Sequence, residues 1–268
     1  MKKILIAICL MCSVSRPSSA AEVVVAAASD LGFVMKEIIT DFERETGNKV
    51  RLSLGSSGTF AAQISNGAPF DLFLSADVAY PQDLEKKGFT EANSVFIYAV
   101  GRIVVWVPKT SAVDVEKIGI QSLLDPSIRK IAIANPEHAP YGRAAISAMQ
   151  HFGIYEKVKN KLVFGENISQ AAQFVQSGAA QIGVVALSIA LSDTMRASGK
   201  YWQIPVEAYP RMEQAGVILK QARKAGHLEA SRAFMEMFRS PRGRATLERY
   251  GFFLPGDSSF PTVSPRDR

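Results

Sequence analysis

Short apolar runs that stop at small polar residues, each followed at once by a helical pattern, constrain this chain more than any other feature. The first is Val23-Val24-Val25-Ala26-Ala27-Ala28, which ends at Ser29-Asp30. Beyond it Leu31, Val34, Met35, Ile38, Ile39 and Phe42 fall at the i, i+3, i+4, i+7 spacing of an amphipathic helix. The unit recurs. Lys49 to Leu54 alternates like a half-buried strand, breaks at Gly55-Ser56-Ser57-Gly58, and leads into a helix with Phe60, Ala61 and Ile64 on one face. That helix closes at Asn66-Gly67, a C-terminal capping signal. Asp71 to Ala76 reads as a third strand, with Asp77 placed to cap the helix after it.

Lys130 to Ala134 is a strand closed by Asn135-Pro136, and Tyr141-Gly142-Arg143 opens the next helix. Leu162 to Phe164 leads through Gly165-Glu166-Asn167-Ile168 into a helix over 169–176, and Gln181 to Ala186 is a buried strand. Strands alternating with helices specify an α/β fold with mostly parallel sheets flanked by helices. Val95 to Val107 is a longer β-rich run with Gly101 in its middle, long enough to leave one sheet and enter another. Two lobes are therefore expected: 22–100, then 101–209, with 210–254 returning to the first. Tyr201 to Pro205 and Ala215 to Leu219 read as the returning strands. The rest is helical, Leu228 to Arg239 and Arg242 to Tyr250, restarted at Ser240-Pro241. The segment 255–268 is polar, carries three prolines and is expected to be a flexible tail.

The start of the chain has another purpose. Lys2 and Lys3, an apolar run from Ile4 to Val14, and Ser19-Ala20-Ala21 have the pattern of a secretory signal peptide, here 1–21. The apolar run is shorter than the ~20 residues a bilayer span needs, and no later segment is long and apolar enough. Cys9 and Cys12 both fall within the signal, so the exported chain is expected to have neither disulfides nor thiolate metal sites. Met11 before Cys12 departs from a lipoprotein signal, which points to a free periplasmic protein. Losing Lys2, Lys3 and Arg16 lowers the formal charge from +6 to +3, with basic residues scattered among acidic ones. That argues against a nucleic-acid partner.

Four junctions place small hydrogen-bonding residues between a strand and a helix: Ser29-Asp30, Ser56-Ser57-Gly58, Tyr141-Gly142 and Asn167-Ile168. Ligands of open α/β sheets bind beyond the carboxyl ends of strands, where free amides and the helix dipole favour anions. Two junctions precede the crossing and two follow it, so an interlobe cleft would gather all four. Arg143 is the one basic residue close to a junction. It either surrounds the anion electrostatically or contacts the opposite lobe, and the second reading is preferred. A cradle of amides and hydroxyls offers donors and few acceptors, which suits a fully deprotonated oxyanion. A protonated one would bury an unpartnered O–H at about 1–3 kcal/mol.

Enzymatic readings lack their residues. Gly55-Ser56-Ser57-Gly58-Thr59 fails the nucleophile-elbow pattern at position 59, and there is neither an H-E-x-x-H nor a P-loop. Among the three histidines only His138 lies near a junction, and loop packing beside Glu137 explains it.

In order along the chain, AAASDL, LGSSGTFAAQI, GAPFDLFLSAD, IANPEHAPYGRAA, GENISQAAQFV, IGVVALSIA and RYGF resemble the periplasmic molybdate-binding proteins of ABC transporters. The resemblance spans roughly Val23 to Leu254. It implies a two-lobed class II periplasmic binding protein with its ligand in the interlobe cleft. The expected function is a non-enzymatic, monomeric receptor for molybdate, and about equally for tungstate, that has no cofactor and serves a separate membrane permease. Carried over by position, the resemblance makes Ser29 a hydroxyl donor, Asp30 a backbone donor and helix cap, and Ser57 a donor through both hydroxyl and amide. Tyr141 matches a position that is Ala or Tyr in the family, and Ile168 one that donates its backbone N–H. Molybdenum would be held only as its oxyanion, through these same residues. Where some members place a ligand tyrosine this chain has Ala186, so Tyr141 is expected to supply the phenol. The alternatives are sulfate or thiosulfate, separable from molybdate by cavity size alone, and more remotely a periplasmic hydrolase.

Overall fold

A computed structural model describes residues 20–257. The expected signal peptide, apart from Ala20 and Ala21, lies outside the described residues, as does the expected tail beyond 257. In chain order the strands are β1 (Glu22–Ala28), β2 (Lys49–Gly55), β3 (Leu72–Ser75), β4 (Phe96–Gly101) and β5 (Ile103–Pro108). There follow β6 (Ile131–Ala134), β7 (Leu162–Gly165), β8 (Ile182–Ala186), β9 (Gly199–Gln203) and β10 (Met212–Ile218). They form two five-stranded sheets, ordered β2-β1-β3-β10-β4 and β7-β6-β8-β5-β9.

The two sheets share one design. β1 pairs in parallel with β2 and β3, and β6 with β7 and β8. A single reversed strand, β10 in one sheet and β5 in the other, runs antiparallel to both of its neighbours. These two are the strands by which the chain enters a sheet from the opposite lobe. Only Arg102 separates β4 in the first sheet from β5 in the second, within the long apolar run read from the sequence. The segment after β9 makes the other crossing. β9 itself stays on the edge of the second sheet, paired with β5, so the return to the first lobe belongs to residues 204–211 and not to Tyr201–Pro205.

Strand alternation divides the first lobe's core between the two faces of its sheet. Val23, Val25, Ala27, Leu72 and Leu74 pack with Leu31, with Val34, Met35, Ile38 and Phe42 of the first helix, and with Phe234 and Phe238. Ala26 and Phe73 face the other way, onto Phe60, Ile64 and Leu84. The second lobe has a single continuous core around Trp106, Ile131, Ile133, Val184 and Met149, which also takes in Ala28 and Ala76 from the first. Those two alanines end β1 and follow β3, so the lobes touch at the carboxyl ends of their strands. No helix among the described residues is long and apolar enough to cross a membrane.

Candidate functional site

Three helix N-termini meet at that contact. The helix Ser57–Ser65 follows β2, Pro140–His151 follows β6, and Ile168–Gln176 follows β7. The first four N–H groups of any helix lack intrahelical partners, and here most are taken. The Ser56 hydroxyl accepts from the Thr59 amide at 3.4 Å, and the Gly58 amide donates across the cleft to the His138 carbonyl at 2.9 Å. Asn167 Oδ1 accepts from the amides of Ser169 (3.0 Å) and Gln170 (3.1 Å). Pro140 has no N–H to place, and Gly142 donates to Ala139. The first-turn amides left over are those of Ser57, Tyr141 and Ile168, and all three residues line one small cavity. A Cβ on Gly142 would lie 2.2 Å from the Ala134 carbonyl oxygen, so glycine is what lets the Tyr141 turn sit directly on the end of β6.

Ser29, Asp30, Ala28 and Ala76 complete the lining, together with the Ser56 and Ala139-Pro140 segments. The cavity measures about 10 Å³, the scale of one water, whereas drug-sized ligands occupy roughly 300–1,000 Å³. A space on that scale is far too small for a sugar or an amino acid, and a compact ion is the class of ligand it comes nearest to holding. No Lys, Arg or His lines it. A larger recess of about 510 Å³ between Phe33, Glu37, Arg44, Asp193 and Tyr250 lies on the surface, walled by exposed charges and away from the strand ends.

The structure brings all five sequence-derived positions to this cavity, with the side chains in different states. Ser57 is fully buried, and its hydroxyl oxygen accepts from the Ala76 amide at 2.9 Å. The bond uses the oxygen as acceptor and leaves the hydroxyl proton for a ligand. The Ser29 hydroxyl reaches the opposite lobe, donating to Asn167 Oδ1 at 3.1 Å and accepting from the Ser169 amide at 3.3 Å. Ser29 to Leu31 form a 3₁₀ turn leading into the helix Gly32–Thr46, and neither Ser29 nor Asp30 caps it through its side chain. The capping role expected of Asp30 is therefore absent.

Asp30 is instead a buried carboxylate. Its Oδ2 accepts from the Tyr141 phenol at 2.8 Å and from Gln214 Nε2 at 2.6 Å, while Oδ1 has no partner. Burial pushes the carboxyl pKa up to about 6 against the lowering effect of the Gln214 and Tyr141 hydrogen bonds. The phenol that was expected to face the anion is thus spent on Asp30. It also accepts from Gln214 at 3.0 Å, and Tyr141's remaining donor is its amide. A charged oxygen without water draws the nearest available donor, which is the physical reason for the change. The network runs on: Tyr98 lies within hydrogen-bond distance of Gln214 Oε1 (3.1 Å) and of the Ser75 carbonyl (3.2 Å). Gln214 escaped the sequence reading because the expected strand began one residue later. The only hint was an amide side chain beside the apolar Ala215-Gly216-Val217.

Further bonds hold the lobes against each other. Arg143 pairs with Asp77 at 2.7 Å and donates to the Tyr80 phenol at 3.2 Å, in agreement with the preferred reading of this arginine. Asp77 Oδ1 meanwhile accepts from the Ala79 amide at the start of the next helix. Ser188 donates to the Asp30 carbonyl at 2.8 Å. His138 contacts the Glu166 carbonyl at 3.1 Å on the cleft rim. Because the Arg143–Asp77 pair is partly exposed, Arg143→Ala is expected to weaken ligand binding by only about 0.2–1 kcal/mol. Titration calorimetry checks this, and a loss of several kcal/mol would place Arg143 on the ligand instead.

A family model described as bacterial extracellular solute-binding protein matches residues 23–253. The molybdate-binding protein ModA of Azotobacter vinelandii is 40% identical over 237 residues, covering 88% of this chain and 92% of the relative. ModA of Rhodobacter capsulatus is 35% identical over 246 residues, covering 92% and 94%. The solved structure of the Azotobacter vinelandii periplasmic molybdate-binding protein superposes with a TM-score of 0.79 at 34% identity, covering 87% of this chain and 99% of that one.

Proposed function

The chain belongs to the molybdate-binding proteins within the bacterial extracellular solute-binding family, and from that premise we propose that its interlobe cavity captures molybdate for an ABC transporter. The observation that carries this reading is the convergence of three uncommitted first-turn amides and the free Ser57 proton on one small cavity whose lining holds no basic side chain. Such donors stabilise a dianion because fixed dipoles act strongly where water is excluded. The Ser29 hydroxyl joins them by leaving Asn167, whose Oδ1 keeps two amide donors. Each residue meets an oxygen of the oxyanion, and none is a ligand of the metal itself.

Binding and closure are one event here. Ser57 belongs to one lobe, Tyr141 and Ile168 to the other, so only the closed form joins all of the donors to one ion. The ligand shifts the open–closed equilibrium by that difference in affinity. A five-atom anion is larger than one water, so the cavity must expand slightly around it. The receptor is non-enzymatic, monomeric and free in the periplasm once its signal peptide is cleaved, and it passes the ion to a permease that is a separate polypeptide. Tungstate, close to molybdate in size and charge, is taken about equally well.

Titration calorimetry with molybdate, tungstate, sulfate and phosphate is the test. Molybdate and tungstate should bind with similar affinity and sulfate at least tenfold more weakly, a difference of about 1.4 kcal/mol. Sulfate binding as tightly as molybdate would refute the ligand assignment.

A further inference from the structure

Asp30 is the one carboxyl side chain in the lining of the cavity, and the roles given to the other residues do not account for its carboxylate. It is completely buried, and Oδ1 has no hydrogen-bond partner. The titratable groups around it are phenols: Tyr141 on the helix Pro140–His151 and Tyr98 on β4, with Tyr209 beyond Tyr141. Gln214 from β10 and Ser188 from the helix Leu187–Ala190 are neutral. The one basic group acting on this network, Arg102, is tied to the Gly251 carbonyl and lies over the Phe253 ring. A dianion placed in this enclosure would therefore stand beside a third negative charge with no countercharge in the lining.

We propose that the receptor takes its dianion together with one proton, and that the proton resides on the Asp30 carboxyl. The balance is simple: one solvent proton joins the carboxylate as the dianion enters, and the site gains one net negative charge in place of two. Oδ1 is the oxygen free to carry it, because Oδ2 already accepts two hydrogen bonds. Protonation also turns the one acceptor-only side chain of the lining into a donor, which is what an acceptor-only anion requires. The carboxyl is already poised for the change, since burial lifts it to about 6 even against the hydrogen bonds that lower it, and a like charge nearby raises it further.

The sign follows by linkage. The bound form holds the proton more tightly than the free form, so affinity is greatest below about pH 6. It then falls about tenfold per pH unit, until the carboxyl of the bound form also ionises. The proposal rests on the anion lying in this cavity, and the experiment separates the two ideas. Molybdate is titrated into the protein at pH 7.5 in buffers of different ionisation enthalpy, which reads the protons taken up per anion, and again across pH 6 to 8. The wild type should take up a proton fraction approaching one, with the falling affinity described. Asp30→Asn should take up none and show a flat profile. Tyr141→Phe removes a hydrogen bond that favours the carboxylate, so its affinity should begin to fall at a higher pH. No uptake by the wild type, or uptake that survives Asp30→Asn, overturns the proposal. If Ser57→Ala binds as tightly as the wild type, the cavity reading fails. Weakened binding in Ser57→Ala with no proton uptake by the wild type sinks the proton alone.

Discussion

Gly58→Val is expected to weaken molybdate binding by ten- to about a hundredfold while leaving the melting temperature of the ligand-free protein nearly unchanged. A Cβ at Gly58 would lie 2.7 Å from the His138 carbonyl oxygen and 3.0 Å from the His138 Cα, both main-chain atoms of the opposite lobe. The third close contact, the Tyr80 phenol oxygen at 2.9 Å, is the end of a side chain that can turn away. Within its own lobe the helix Ser57–Ser65 should accommodate the substitution, because that lobe's core is built from Phe60, Ile64 and Phe73. The clash thus falls on closure. Overpacking costs about 1–3 kcal/mol, and the Gly58 amide would also be held away from its 2.9 Å bond to His138. Since every 1.4 kcal/mol is tenfold in affinity, titration calorimetry beside a thermal melt resolves the effect. A lower melting point with unchanged affinity would show that Gly58 serves the fold and not the closing motion.

Ser57→Ala should cost more than Ser29→Ala, and the hydrogen bonds give the reason. The Ser57 proton has no protein acceptor, so the substitution removes a ligand donor worth about 1.5–3 kcal/mol when the acceptor is charged. It also strands the buried Ala76 amide, at a further ~1–3 kcal/mol of folding stability. Ser29 is different because its proton already rests on Asn167 in the closed protein. Binding the anion exchanges one acceptor for another, and the net loss on substitution is smaller. Affinities of the two variants, measured with their melting temperatures, test the ranking. Equal affinity in wild type and both variants would move the ligand elsewhere.

Asp30 is where sequence and structure part most clearly. At the start of a helix pattern, an aspartate following a serine reads locally as a cap, and local spacing offers nothing against that. Its actual partners, Tyr141 and Gln214, lie 111 and 184 positions away along the chain. They are supplied by the second lobe and by the strand that returns from it. The Ser29 contact with Asn167, 138 positions distant, has the same origin. These bonds arise only once the lobes are packed, and no periodicity or motif encodes them.

The order of strands and helices, the two-lobe plan and the donor-rich chemistry of the junctions were settled by the sequence alone. Each depends on near neighbours: alternation that buries one face of a strand, 3.6-residue spacing that buries one side of a helix, and small residues where one becomes the other. The family resemblance went further and named the positions that meet at the cavity. Which donors there remain free was decided by the tertiary structure. The Ser57 hydroxyl has its proton to spare because its oxygen is occupied by the Ala76 amide, whereas the Tyr141 phenol already donates its hydrogen bond to Asp30. The physical reason is that leaving a buried polar atom unpaired costs free energy, so most find a partner. Its partners are chosen by what the closed fold brings within 3 Å, whatever their distance along the chain.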